Sequence, residues 1–128
     1  MNDLLISKAK RLDTGEWVYG YYCPCVLGKW PLRPCIVPEI DGLWRPIEID
    51  MATLCRCTGL HDRNNKLIYE NDIVVAVDKY TSEARKGKVV WDEFQWFIAG
   101  DYAEYTKNHC EITVVGTIHD TPELLKEG

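Results

Sequence analysis

The sequence predicts a mainly β protein, and three observations carry that reading. The dominant spacing of apolar residues is two, as in Ile73, Val75 and Val77 or Phe94, Trp96 and Ile98. Aromatic side chains are plentiful, with 5 Trp, 7 Tyr and 2 Phe in 128 residues, and such rings suit a pleated, half-buried surface. The one convincing helix start lies at the tail, where Thr121 is placed as an N-cap, Pro122 at the first helical position and Glu123 at the positive end of the dipole. A chain of this length is expected to form one compact domain, since it buries roughly two-thirds of the surface it exposes when unfolded.

Taken in order, residues 4–12 read as a first strand, followed by a turn at Asp13-Thr-Gly15-Glu16 in which Gly15 supplies a positive φ. The strand over residues 16–22 sets Trp17, Tyr19 and Tyr21 on one face and Val18 and Tyr22 on the other. Gly20 interrupts that second face and predicts a bulge or a close backbone approach. Residues 23–46 read as irregular, because Pro24, Pro31, Pro34, Pro38 and Pro46 remove five backbone donors and no central strand is expected through them. Short edge pieces are expected at most, at Gly28-Lys-Trp30, Ile36-Val37 and Gly42-Leu-Trp44. Ile47, Ile49 and Met51 then alternate with Glu48 and Asp50 as a half-exposed strand or a strand-like lead-in.

A polar turn region is expected from Thr58 to Lys66, where Asp and Asn bond their own backbone and tolerate left-handed conformations. A strand follows over residues 73–77, then a polar loop over 78–87, a strand over 88–91 and a turn at Asp92-Glu93. Phe94, Trp96 and Ile98 alternate in the next strand, residues 100–108 read as a loop, and residues 111–115 form the last strong strand. The tail has room for one helical turn.

Composition excludes several classes. Fifteen basic and twenty acidic side chains leave a net charge of −5, and residues 65–128 hold the whole deficit, with 7 basic against 12 acidic. A basic nucleic-acid clamp, a collagen, a disordered tail and a membrane span are all excluded. The first residues hold only three consecutive apolar side chains, Leu4 to Ile6, which is no signal-peptide pattern, so a cytosolic protein is expected. Cys23, Cys25, Cys35, Cys55, Cys57 and Cys110 are then expected as thiols. The pairs Cys23-Pro-Cys25 and Cys55-Arg-Cys57 place two sulfurs on one face of a strand, with His61, His109 and Cys110 as further donors. Zinc sites favour a longer spacing, and small apolar thiols filling half-buried strand positions is the preferred reading.

No nucleophile elbow, phosphate loop, dinucleotide fingerprint or zinc-protease motif occurs. Glu48 with Asp50 and Glu70 with Asp72 share strand parity, but alternation puts Glu48 and Asp50 on the solvent face, where a raised carboxyl pKa has no cause. Cys57 with a His61 base is a further nucleophile arrangement that nothing singles out. Arg85-Lys-Gly-Lys88 is the one basic run and falls in a predicted loop, where a solvated hairpin tip is preferred over a single-strand-binding patch. No catalytic, cofactor-binding or metal-ligating residue is therefore expected, and no cofactor.

The stretch Thr58-Gly-Leu-His-Asp-Arg-Asn-Asn-Lys-Leu-Ile-Tyr-Glu-Asn-Asp-Ile-Val74 resembles the central motif of the YopX family of phage and prophage proteins. Gly15-Glu-Trp-Val-Tyr-Gly20, Gly87-Lys-Val-Val-Trp-Asp92 and Val115-Gly-Thr-Ile-His-Asp-Thr-Pro-Glu-Leu-Leu125 resemble three other stretches of it in the same order. Asn65 and Asn71 stand where the family usually has glycine, so both positions are expected to need positive φ, with Asp62 and Asp72 capping backbone groups. The resemblance implies an SH3-like small barrel that self-associates, with no established activity, catalytic residue or cofactor.

The expectation is thus a single YopX-like domain over residues 1–128. An N-terminal β-hairpin and Pro-rich irregular segment (1–43) would precede an SH3-like small β-barrel (44–125) closed by a short helical turn. Its expected function is that of a non-enzymatic phage or prophage accessory protein in the bacterial cytoplasm, bound to itself or to a phage or host protein. Single-stranded nucleic acid is the alternative partner, and no membrane is involved.

Overall fold

Strand alternation and short turns dominate the chain, and the computed structural model describes residues 6–24, 33–38 and 45–125. The chain divides into two compact units, Met1–Cys57 and Thr58–Gly128. The expected pieces at Gly28-Lys-Trp30 and Gly42-Leu-Trp44, together with Cys25, lie outside the described residues.

In the first unit, β1 (Ile6–Lys10) and β2 (Trp17–Cys23) form the expected hairpin, in register from Ile6 opposite Tyr21 to Lys10 opposite Trp17. Gly15 turns the chain at φ +75°, and its N–H donates to the Arg11 carbonyl at 2.9 Å. Gly20 is the expected close approach. A Cβ there would fall 2.8 Å from Pro38 Cα and closer still to the Val37 carbonyl oxygen.

β3 (Cys35–Val37) corrects the expected edge piece. It is an interior strand, paired with β2 on one side and with β4 (Ile47–Glu48) on the other. The prolines flank it at Pro34 and Pro38 and so remove no donor from within it. β5 (Cys55–His61) adds to β1 through Ser7 opposite Arg56 and Lys8 opposite Cys55, so the order in this unit is β4-β3-β2-β1-β5. Of the strand or strand-like lead-in expected over 47–51, the lead-in is what forms, with only Ile47 and Glu48 in a strand. Ile49 makes a lone bridge to Arg11, and Met51–Thr53 form a 3-10 turn capped by the Asp50 carboxylate on the Ala52 N–H. Ala9, Val18, Ile36 and Ile49 form this unit's apolar core.

β5 runs on past the unit boundary, so Thr58, Gly59 and Leu60 are strand and not the start of a turn. In the second unit β6 (Leu67–Tyr69) and β7 (Asp72–Asp78) follow. β8 (Ala84–Asp92), β9 (Gln95–Ile98) and β10 (Asp101–Tyr102) come next, then α1 (Ala103–His109) and β11 (Cys110–Thr117). The antiparallel order is β10-β9-β8-β7-β11. β8 is long enough to serve both halves, pairing with β7 over its first residues and with β9 over its last. β10 and β11 end the sheet and do not pair with each other among the described residues, so the expected barrel is not closed. Ile68, Val74, Ala76, Val89, Ile98, Cys110 and Ile112 make the core, with Trp96 packed on its margin.

Three further expectations are corrected here. The basic run lies in strand β8 and not at a loop tip, because the loop after β7 closes by residue 83. Residues 103–109 are an α-helix, with Glu104 in its first turn and Lys107 and His109 in its last, where each charge complements the helix dipole. At the tail, Pro122–Leu125 form the expected short helical turn, of 3-10 type, and the correction is confined to Thr121, whose hydroxyl donates back to the Thr117 carbonyl instead of capping the turn.

Candidate protein-binding surface

The polar turn over residues 61–66 of the second unit is built for backbone, with the one carboxylate of Asp62 at its centre. The Asp62 Oδ1 accepts from the Asn64 and Lys66 N–H groups, each at 2.9 Å, and its Oδ2 accepts from the Val114 N–H of β11 at 3.0 Å. Asn65 completes the turn at φ 63°, and the Arg63 N–H donates to the Ile112 carbonyl at 2.8 Å. The turn is thereby sewn along the outer edge of β11. Burial alone would raise the Asp62 pKa, but the three N–H bonds and the Lys66 charge hold its carboxyl below the ordinary carboxylate range. Asp72 is fully buried and accepts from the Tyr69 N–H at 2.8 Å. Asn71, at φ 68°, donates its N–H to the Val89 carbonyl and accepts from the Ile118 N–H. The expected capping by both aspartates and the positive φ at both asparagines are thus present.

The other sequence candidates are not brought into one reactive arrangement. Cys57 and His61 lie four residues apart on β5, which at strand rise is about 13 Å and beyond proton-transfer reach. Cys55 and Cys57 are buried on that strand, and Cys23 is half-buried on β2. Among the described residues no group of three or more His, Cys, Asp or Glu is arranged to hold a metal ion. Glu48 pairs with Arg33 at 3.2 Å, and Asp50 is occupied as a cap. In the basic run, alternation turns Arg85 away from Lys86 and Lys88. Its guanidinium bonds the Asp101 carboxylate at 2.9 Å and the Thr106 hydroxyl at 3.3 Å, tying β8 to β10 and α1.

What the second unit does display is aromatic. Trp91 and Trp96 face each other across β8 and β9 with centroids 5.1 Å apart in an edge-to-face pair. Phe97 and Tyr102 pair across β9 and β10 at 5.1 Å, and Tyr105 stacks on His109 along α1 at 4.2 Å. Tyr80 stands 83% exposed in the loop after β7. That loop is fixed by the Asp78 carboxylate, whose bonds from the Thr81 and Tyr80 N–H groups hold its pKa below the ordinary range. Phe94 corrects another expectation. It lies in the β8–β9 turn and not in the strand, and is 92% exposed. Alternation with Trp96 and Ile98 disguised it. Tyr102 and Tyr105 were hidden because their segment read as loop. The unit that carries these rings is acidic, with 13 acidic against 8 basic side chains in residues 58–128.

The fold and surface define a two-unit antiparallel β protein whose second unit carries an aromatic, acidic exterior. A sequence profile described as YopX protein matches residues 35–126, and the chain belongs to the YopX family. No curated protein matches it. Among solved structures it is similar to the crystal structure of protein EF1440 from Enterococcus faecalis, at 23% identity and a TM-score of 0.61. That likeness covers 95% of this chain and 99% of the other, and it concerns the fold alone. No helix among the described residues is long and apolar enough to cross a membrane.

Proposed function

We propose that the chain is a non-enzymatic binding module of a phage or prophage, working in the host cytoplasm and engaging protein through the aromatic surface of its second unit. The observation that carries this reading is the exposure, on one small unit, of Tyr80, Trp91, Phe94, Tyr102 and Tyr105. Tyr, Trp and Phe are enriched where proteins meet, because each supplies large contact area at little conformational cost. The strand order of the five-stranded sheet supports an SH3-like unit: its last strand, β11, lies beside its first, β7, its second, β8, is shared between two halves, and a helix precedes β11. Homo-oligomerisation is the form this reading takes when the partner is a second copy.

Light scattering on the purified chain, together with affinity capture from lysogenic cells, tests the proposal. A defined oligomer or a stoichiometric partner is expected, and either is lost on Tyr102→Ser/Tyr105→Ser. A monomer that captures nothing overturns it. Lys86 and Lys88 share the Phe97 face of β8 and β9 and favour single-stranded nucleic acid as a second reading. A salt-dependent shift of single-stranded DNA, abolished by Lys86→Glu/Lys88→Glu, would establish that reading instead.

A further inference from the structure

The hairpin between β8 and β9 departs from what its geometry favours. Asp92 and Gln95 are its closing pair, so Glu93 and Phe94 are its two central residues, and both have positive φ, 47° and 65°. Two-residue turns with left-handed backbone at both centres belong to Asn-Gly and Asp-Gly, because a Cβ crowds the carbonyl oxygen there. The next turn of the same sheet is a useful contrast. Ala99 and Gly100 join β9 to β10 at φ 52° and 88°, with glycine at the second centre. At Phe94 a bulky side chain occupies the strained position and stands in solvent. Burial does not offset the strain, and a strained residue that gains the fold nothing points to a role outside it.

Resting on the binding-module reading, we infer that this hairpin is a docking prong whose Phe94 ring anchors a basic, apolar segment of another protein. Charge selects the partner's chemistry. The stretch from Trp91 to Trp96 holds Asp92 and Glu93 and no basic residue, within a unit that is acidic as a whole. An exposed ring preceded in the hairpin by two carboxylates repels an acidic surface and attracts apolar side chains bordered by Lys or Arg. The Trp91–Trp96 pair immediately behind the turn braces the hairpin, so the prong is ordered before it binds. A few buried anchors, aromatic side chains prominent among them, carry most of the energy of protein contacts.

The test selects a displayed library of random peptides on the full chain and on Glu93→Asn/Phe94→Gly, which installs the residues the turn favours. The double variant is expected to melt about 5 °C higher, since strain is relieved and no contact is lost. Peptides enriched on the parent chain are expected to be basic and apolar. They should quench or shift the fluorescence of Trp91 and Trp96, and bind the double variant at least tenfold more weakly. A lower melting temperature in the variant, or enrichment of acidic peptides, overturns the prong. Enrichment that persists on the variant removes the prong and leaves the binding module standing, whereas no enrichment of any composition removes both.

Discussion

Asp62 illustrates how single residues of the central motif act. Its carboxylate satisfies three backbone donors that would otherwise lack partners, one of them on a strand more than fifty positions away. Asp62→Asn replaces one acceptor oxygen by an amide donor, so at pH 7 the variant is expected to lose about 2 kcal/mol of stability in urea unfolding. The pH dependence follows from the direction of the shift. Because folding depresses this pKa, the carboxylate's contribution is fully present above the unfolded value near 4 and fades as pH falls through the lower folded value. Wild type and Asp62→Asn should therefore converge in stability under strong acid. A gap that stays constant with pH would contradict the assignment. Asn65 makes a second residue-scale case. At φ 63° an alanine is strained, so Asn65→Ala should cost about 1 kcal/mol while Asn65→Gly is neutral or stabilising in the same assay.

Among the elements, glycine marks where backbones nearly touch. A Cβ at Gly87 of β8 would lie 2.7 Å from Ala99 Cα, and one at Gly20 of β2 would press on the backbone of residues 37 and 38. Gly87→Ala and Gly20→Ala are each expected to destabilise by about 2 kcal/mol, read by thermal melting, because backbone atoms cannot yield as a flexible side chain does. Gly20 was legible in the sequence, since a glycine that breaks a strand face marks a bulge or a place with no room for a side chain. So were the β1–β2 hairpin and β7, a run of five apolar, mostly β-branched residues. β3 was obscured by its length, for three residues between prolines carry no period, and its interior place depends on partners distant in the chain. α1 was obscured by chemistry. Its only buried residues are Ala103 and Thr106, small and partly polar, so no apolar stripe announces a helix. Phe94 was misread because apolar alternation continued smoothly across a turn that only the pairing of Asp92 with Gln95 locates.

For the whole molecule, the charge asymmetry acquires a location. The first 57 residues are balanced, with 7 basic and 7 acidic side chains, and the second unit carries the net −5 together with, among the described residues, most of the large exposed aromatics. An acidic aromatic exterior predicts partner capture that weakens as salt rises, since ionic strength near 1 M shortens electrostatic reach to about 3 Å. Capture yield measured across a salt series is expected to fall steadily. A yield that grows with salt would indicate a purely apolar contact.

Binding of protein through the exposed rings of the second unit is tested most directly by site-specific photocrosslinking in host cells. With p-benzoylphenylalanine in place of Phe94, illumination should give one discrete adduct, either a dimer of this chain or a single partner. The same probe in place of Tyr19, on the first unit, should give none. No adduct at position 94, or equal adducts at both positions, would contradict that role for the rings.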